Sequence, residues 1–215
     1  MYLTRFRVNP QRREARKLLG SPQAMHAAVL SSYMDAPAPT PESRVLWRVD
    51  HRGPNVTLYI SGPERPDPTA LKEHAGWPEL PGGWDTVEYQ PFLDKLDDGQ
   101  TWAFRLTANP VRFGRTTHHE KTVALGHVTV AQQTGWLLDR AEKHGMAIDP
   151  ATVAVQASRT WQFTRQGKPV TLKVATFDGV LSITEPTAFR RMLCAGIGRA
   201  RGYGCGLMTL ARVTP

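Results

Sequence analysis

The sequence has few cysteines and no long apolar segment, and both absences limit the class of protein it can encode. Only Cys194 and Cys205 occur among 215 residues, which excludes a disulfide-rich scaffold. One disulfide or two reduced thiols can form, and the thiols are favoured in a cytosolic chain. No apolar run approaches the length of a membrane span, and the opening MYLTRFRVNP has no apolar signal core. These absences predict a cytoplasmic protein with no membrane partner.

Positive charge is in excess. Lys and Arg total 27 against 19 Asp and Glu, which gives a formal net charge of +8 and a pI near 9.9. That balance favours a polyanionic partner such as nucleic acid, although a basic enzyme without such a partner has the same composition. Hydrophobic residues make up 40% of the chain, so a packed core can form in one large domain or two small ones.

The predicted elements repeat one order along the chain. Strict alternation predicts a first strand over 2–8, and Ser21 with Pro22 predicts the start of a helix over 21–34. The further predicted strands cover 44–49, 55–60, 86–90, 101–108, 152–163, 169–177 and 206–213, and the further helices cover 69–75, 129–145 and 185–196. The order β-α-β-β-α-β therefore occurs twice, which is typical of an α+β protein made of two tandem ferredoxin-like (RRM-like) modules. We expect the domains to cover 1–92 and 98–215.

The segment CAGIGRARGYGCGLMTLA (194–211) concentrates glycine, yet it matches no nucleotide-binding motif. A phosphate-binding P-loop needs Gly-Lys-Ser/Thr, which the sequence lacks. A dinucleotide fingerprint opens a helix, whereas this segment leaves a predicted helix and enters a strand. Residues 201–204 match the start of an RNA-recognition motif, but Cys205 and Met208 occupy the positions of two base-stacking aromatics. A nucleotide-binding enzyme is therefore the weakest of the functional interpretations.

A helix cap followed by a turn explains only part of this segment. Such a turn needs one or two glycines, and the sequence has five: Gly196, Gly198, Gly202, Gly204 and Gly206. The surplus indicates that another backbone approaches closely. Because Arg199 and Arg201 lie in the same segment, the backbone of a nucleic acid is the natural candidate.

Six short pieces, in order along the chain, resemble one known family. They are MYLTR (1–5), MH (25–26), LWRV (46–49), FRLTANP (104–110), TFDGVLSI (176–183) and the glycine signature GIGRAR with GCGL (196–201 and 204–207). Together they resemble the CRISPR-associated repeat-RNA endoribonucleases of the Cascade type, the CasE family of type I-E systems. The resemblance implies two ferredoxin-like modules that cut CRISPR precursor RNA at the base of the repeat stem-loop. It implies no metal or other cofactor, and a product that stays bound within a surveillance complex of further Cascade subunits.

The resemblance also selects one catalytic histidine. Metal-free RNA cleavage uses the substrate's 2′-OH as nucleophile and leaves a 2′,3′-cyclic phosphate and a 5′-OH, so the protein must move protons. By itself, a histidine on a helix is more often ordinary than catalytic, but His26 occupies the family's catalytic position. It is expected to act as general base or general acid. His118 and His119 are adjacent in a basic segment, but they have no third ligand near them in sequence to form a metal site.

The sequence departs from the family pattern next to His26. Gln23, Ala27 and Ser31 stand where some members have Tyr, Arg and Lys, so the second proton carrier and the cation for the phosphorane stay open. The candidates are Arg5, Arg7, Arg12, Arg13, Tyr33 and Ser158. A non-catalytic RNA-binding subunit of a ribonucleoprotein complex is therefore the alternative function.

The predicted RNA-binding surface combines the glycine-rich segment with a basic hairpin. The resemblance implies that the hairpin over 159–173 enters the groove of the stem. The alternative is a solvent-exposed hairpin whose lysines protect a sheet edge. The basic segment 111–121 is a further candidate and is expected to be mobile. The predicted RNA-binding residues are Arg5, Arg12, Arg13, Arg159, Arg165, Lys168, Gly198, Arg199, Arg201, Gly202 and Gly204.

Overall fold

The chain folds into a mixed α/β structure with antiparallel sheets. The computed structural model describes residues 1–79, 81–116, 119–165 and 167–213. The elements of the first half are β1 (Tyr2–Val8), α1 (Arg13–Gly20), α2 (Pro22–Leu30), β2 (Leu46–Arg52), β3 (Asn55–Gly62), α3 (Thr69–Ala75), β4 (Trp84–Glu88) and α4 (Gln90–Leu93). Those of the second half are β5 (Thr101–Ala108), β6 (Val111–Thr116), β7 (His119–Gly126), α5 (Val130–Ala141), β8 (Met146–Ile148), β9 (Ala154–Arg165), β10 (Lys168–Ile183), α6 (Pro186–Ala195) and β11 (Met208–Ala211).

Two sheets organise the two halves. The first has the order β2-β3-β1-β4, and every neighbouring pair is antiparallel. The second runs β11-β5-β10, and both β9 and β8 pair with β10. Each sheet covers its own apolar core, one around Phe6 and Leu58 and the other around Leu106 and Phe177. Alternation puts these apolar residues on one face of each strand, which is why the strands bury only that face.

Five of these elements were not predicted, and one prediction was wrong. Helices α1 and α4 and strands β6, β7 and β8 are additions to the expected order. The segment 111–121 was expected to be a loop, but residues 111–116 and 119–126 pair as antiparallel strands. Its expected mobility stays a prediction. The hypothesis of a metal site at His118 and His119 is not tested, because His118 and the side chain of His119 lie outside the described residues. The helix expected over 21–34 ends at Leu30.

The two halves are joined by a buried arginine, Arg48. Arg48, on β2, is 1% exposed and donates from Nε and Nη2 to the two carboxylate oxygens of Asp50, at 2.7 and 2.9 Å. Its other donors cross to the second half, where they bond the carbonyls of Arg105 and Leu207 and the hydroxyl of Thr209. All five guanidinium N–H groups thus have acceptors. This network fixes β2 against β5 and the start of β11.

Three histidines make the stability depend on pH: His26 and His144 are half-buried, and His51 is exposed. Burial lowers the pKa of His26, His51 and His144 below the ordinary value. The unfolded chain, in which a histidine has a pKa of about 6.5, therefore binds more protons than the folded chain in mildly acidic solution. We expect these histidines to leave the free energy of unfolding unchanged above pH 7. They should lower it as the pH falls from about 6.5 through their folded-state pKa values.

Urea denaturation at a series of pH values between 7.5 and 5 tests this expectation. Exchanging His144 for glutamine should flatten the slope of unfolding free energy against pH, whereas the same exchange at His74, which is exposed on α3, is the control. An unchanged slope in the His144→Gln variant would contradict the prediction.

No helix among the described residues is long and apolar enough to cross a membrane.

Candidate active site

His26 lies in α2 and is held there by the start of the helix. The hydroxyl of Ser21 accepts a hydrogen bond from the backbone N–H of Ala24 at 3.2 Å, and Pro22 occupies the first turn. Both features were predicted from the sequence. The adjacent Met25 is buried in the core, so the neighbouring half-buried imidazole is placed at the margin of that core. The helix therefore fixes the position of the ring and leaves part of it accessible.

Trp47 contacts the imidazole from β2. Its indole N–H donates to His26 Nδ1 at 3.4 Å. An Nδ1 atom that accepts a hydrogen bond carries no proton, so the neutral ring carries its proton on Nε2. The arrangement therefore presents Nε2–H, a donor, on the side away from Trp47.

The glycine-rich segment closes around this pair of rings. A Cβ atom on Gly202 would lie 3.3 Å from Nε2 of His26, and one on Gly204 would lie 2.6 Å from Cζ3 of Trp47. Gly204 also has φ of +74°, a left-handed conformation that favours glycine. The chain thus brings residues 201–204 directly against His26, although the two are far apart in sequence.

These contacts change the explanation of the surplus glycines. A Cβ atom on Gly196 would collide with the side chain of Leu46, and a Cβ atom on Gly198 would collide with the ring of Trp136. The close approach inferred from the sequence is therefore made by the protein's own side chains. Contact of Gly198, Gly202 and Gly204 with a nucleic acid stays a prediction, and it is not needed to explain their presence.

The β9–β10 hairpin reaches the same place. The ring of Phe163, on β9, lies 4.8 Å from that of Tyr203 between centroids. Arg165 is two residues further along the strand and so projects from the same face. Burial lowers the pKa of His26, and the positive charge of Arg165 lowers it further. The end of the hairpin therefore adds a cation to the surroundings of Nε2.

Exchanging Trp47 for phenylalanine tests the assigned hydrogen bond. The variant keeps an aromatic ring and removes the N–H donor, which opposes protonation of Nδ1, together with part of the indole that lies against Gly204. We expect the pKa of His26 to rise by about 0.5–1 pH unit, because a neutral hydrogen bond contributes roughly 0.5–1.5 kcal/mol. NMR titration of the imidazole measures it. Trp102→Phe, which removes an indole bonded to Gln100, is the matched control, and an unchanged His26 titration in Trp47→Phe would refute the assignment.

The other predicted cations are distributed over several surfaces. Arg5 pairs with Asp85 at 2.7 Å, and Arg12 donates to the carbonyls of Lys72 and Gly76 at the end of α3. Arg201 donates to the carbonyl of Gly198 at 2.9 Å, so it braces its own loop. The remaining predicted cations, Arg13, Arg159, Arg165, Lys168 and Arg199, are exposed.

Two candidate proton carriers are committed to other contacts. Tyr33 is buried with its hydroxyl packed against Gly62, 2.5 Å from where a Cβ of that residue would lie, and burial raises its pKa. The hydroxyl of Ser158 accepts from Gln133 Nε2 at 2.9 Å. Sequence reasoning missed Trp47 and Tyr203 as neighbours of His26. Trp47 lies in the quoted LWRV piece and Tyr203 in the glycine segment, so their positions were visible but their contacts were not.

A metal site has no support in the part of the chain that the structure describes. Among those residues, no three His, Cys, Asp or Glu side chains are grouped to hold a metal ion. Trp47, which bonds His26, is aromatic, and Arg165, whose charge acts on it, is cationic; neither kind of side chain ligates a divalent cation. The donor set at this site therefore suits an anionic group beside Nε2.

Comparisons with known proteins agree on one family. A family model described as CRISPR associated protein matches residues 1–212. The CRISPR-associated endoribonuclease Cse3 of Thermus thermophilus is 31% identical over 225 aligned positions, which cover 98% of this chain and 100% of that protein. The Cascade subunit CasE of Escherichia coli K12 is 30% identical over 132 positions, covering 58% of this chain and 62% of CasE.

A solved structure matches over a similar length. The structure of Thermus thermophilus Cse3 bound to an RNA representing a pre-cleavage complex has a TM-score of 0.74 and 28% identity, and the match covers 98% of each chain. The chain belongs to this family of CRISPR-associated proteins.

Proposed function

We propose that this chain is an endoribonuclease that cuts CRISPR repeat RNA at the base of its stem-loop and stays on the product as a Cascade subunit. One observation carries the proposal: the similarity to the endoribonuclease Cse3 extends over 98% of the chain. The placement of His26 against the glycine signature adds to it, because two separate pieces of the family pattern meet at one site.

The reaction needs no metal in this proposal. The 2′-OH of the last stem nucleotide gives its proton to a water molecule and its oxygen attacks the adjacent phosphorus. The bond from phosphorus to the 5′-oxygen breaks, and that oxygen takes up a proton. The products are a 2′,3′-cyclic phosphate and a 5′-OH. His26 in its protonated form gives the Nε2 proton to the departing 5′-oxygen. A phosphate beside the ring would also raise the pKa of His26, which favours the proton-donating form.

Arg165 is the proposed cation for the negative phosphorane, a role that Lys or Arg fills in other phosphoryl-transfer sites. Its charge already acts on the His26 ring. Together with Arg159 and Lys168 it makes the hairpin basic, and a basic hairpin suits recognition of a stem through its backbone. Exposed Arg13 and Arg199 would add phosphate contacts, whereas Arg5, Arg12 and Arg201 are already bonded to groups of the protein.

The proposed architecture is two tandem ferredoxin-like modules, 1–92 and 98–215, in a cytoplasmic protein. The strand order of the first sheet supports the first module, because its strands run fourth, first, third, second. In the second sheet, β11, β5, β10 and β9 follow the same order. Each half also has a separate core.

Incubating the protein with a labelled repeat stem-loop in EDTA tests the function. We expect one cut at the base of the stem and a product end that resists phosphatase until acid opens the cyclic phosphate. An RNA with a 2′-deoxy nucleotide before the cut should stay intact. Cutting that requires added Mg²⁺, or no cutting at all, would contradict the proposal.

A second function is favoured by the residues around His26. Gln23, Ala27 and Ser31 replace groups that the family pattern uses next to the histidine. If the EDTA experiment shows tight, specific binding without cleavage, the chain is a non-catalytic RNA-binding subunit.

A further inference from the structure

A cavity of about 340 Å³ lies at the junction of the two halves. We call it the junction pocket and define it by its walls, which come from α2 (Met25), β2 (Trp47 and His51) and β9 (Gln156, Arg159 and Trp161). It adjoins the candidate active site directly. Trp47 both lines the pocket and donates to His26, and Pro22, one helical turn before His26, also lines it.

The walls of the pocket suit a flat aromatic ligand. Trp47 is 3% exposed and Met25 is 1% exposed, so this side is rigid and apolar. Trp161 is half-buried on the opposite element, β9. Proteins bind an unstacked nucleobase between aromatic and apolar side chains in this manner. A volume of about 340 Å³ is at the small end of the range for ligand sites, which suits one nucleotide and not a stacked pair.

The charges of the pocket suit an anion. The carboxylate of Asp50 lines it, but Arg48 already bonds both of its oxygens. Arg105 lines the pocket as well and is paired with Asp178. Arg159 lies close enough to His51 that its charge, after burial, lowers the pKa of that histidine. The exposed cation at the rim is therefore Arg159, which can receive the phosphate of a nucleotide whose base enters the pocket.

We propose that the junction pocket holds the base of the nucleotide immediately 3′ of the cut. The proposal rests on the proposed function, because it assumes RNA cleavage at His26. The nucleotide before the cut belongs to the stem and is kept in place by pairing. The nucleotide after it is single-stranded, so its base leaves the stack at little cost. Capture of that base would hold the 5′-oxygen beside His26 and align it for in-line displacement.

A double-mutant cycle between the RNA and Trp161 tests the proposal. The first change makes the nucleotide 3′ of the cut abasic, and the second is Trp161→Ala. Single-turnover rates are measured for all four combinations. Each change alone is expected to slow cutting by about 5- to 150-fold, the range that corresponds to stacking one base on an aromatic side chain. The two together should be no slower than the more damaging one.

Controls separate the pocket from general damage. Trp161→Phe keeps a ring and should restore both most of the lost rate and the sensitivity to the abasic nucleotide. An abasic nucleotide three positions further downstream should have no effect. The melting temperature of each variant shows whether the hairpin is still folded, and any variant that has lost its fold is replaced in the cycle by Trp161→Leu.

The outcomes separate a failure of the pocket proposal from a failure of the proposed function. If the two effects multiply, or if the abasic RNA is cut at the normal rate while Trp161→Ala slows cutting, the pocket does not hold this base and the proposal is overturned. If the wild-type protein does not cut the unmodified RNA, the proposed function fails, and 2-aminopurine in place of the base then decides the pocket alone. Quenching of the 2-aminopurine fluorescence that depends on Trp161 would support binding of the base in the pocket, and no quenching would refute it.

Discussion

Exchanging His26 for alanine is expected to slow single-turnover cutting of the repeat stem-loop by about 10²–10⁴-fold, the usual contribution of a positioned general acid or base. Affinity for the RNA should change little, because the hairpin cations Arg159, Arg165 and Lys168 are untouched. The imidazole sits between Trp47 and Gly202, so its removal leaves a small space at the edge of α2 and preserves the core. Cleavage assays with excess protein, paired with filter binding, measure the two quantities separately.

A matched control makes that experiment decisive. His74→Ala removes an exposed imidazole from α3 and should cut RNA at the wild-type rate. Full activity of His26→Ala would show that the proton is moved by another group. A loss of affinity as large as the loss of rate would show that His26 binds the RNA and does not act in the chemical step.

Exchanging Arg48 for methionine is expected to lower the free energy of unfolding by about 3–5 kcal/mol, as found when one member of a buried ion pair is removed. The guanidinium is 1% exposed and bonds Asp50, two carbonyls and Thr209. Methionine fills much of the volume but leaves the carboxylate of Asp50 buried without its main partner. Arg105 Nη1, 3.8 Å from Asp50, is too distant to replace the hydrogen bonds. Urea denaturation gives the difference.

Two further variants show which interaction causes the lost stability of Arg48→Met. Arg48→Met combined with Asp50→Leu removes the orphaned charge and should recover part of the stability. Arg5→Met breaks an ion pair whose side chains are 52% and 59% exposed, so it should unfold at the wild-type urea concentration. Equal effects of Arg48→Met and Arg5→Met would contradict the importance assigned to the buried network.

The sequence predicts those elements whose signals are local. The start of α2 follows from Ser21 and Pro22, and β1 follows from the alternation of Phe6 and Val8 with Arg5 and Arg7. Helix α1 was missed because half of REARKLLG is charged, although Ala15, Leu18 and Leu19 have helical spacing. Strand β8 has three residues, too few for alternation to be visible. The β6–β7 hairpin depends on pairing between strands, which single-strand patterns do not contain.

The site was predictable in identity but not in geometry. The identity of His26 came from the family resemblance, since a lone histidine on a helix carries no catalytic signal of its own. The contact of Trp47 with Nδ1 joins α2 to β2, and that of Gly202 joins α2 to residues 201–203. Contacts between segments that are distant in sequence produce no periodic pattern in the sequence. The glycine count was visible, but the side chains that require it were not, and the close approach was therefore attributed to RNA.

The buried bond from Arg48 to the carbonyl of Leu207 joins residues 159 positions apart. A growing polypeptide makes β2 well before this acceptor, and amino-terminal segments begin folding first. Until residues 201–209 emerge, Arg48 lacks two of its acceptors, the Leu207 carbonyl and the Thr209 hydroxyl, and His26 lacks its neighbour Gly202. We therefore expect a nascent chain without these residues to be unable to cleave RNA, and competence to arise in one step when β11 docks.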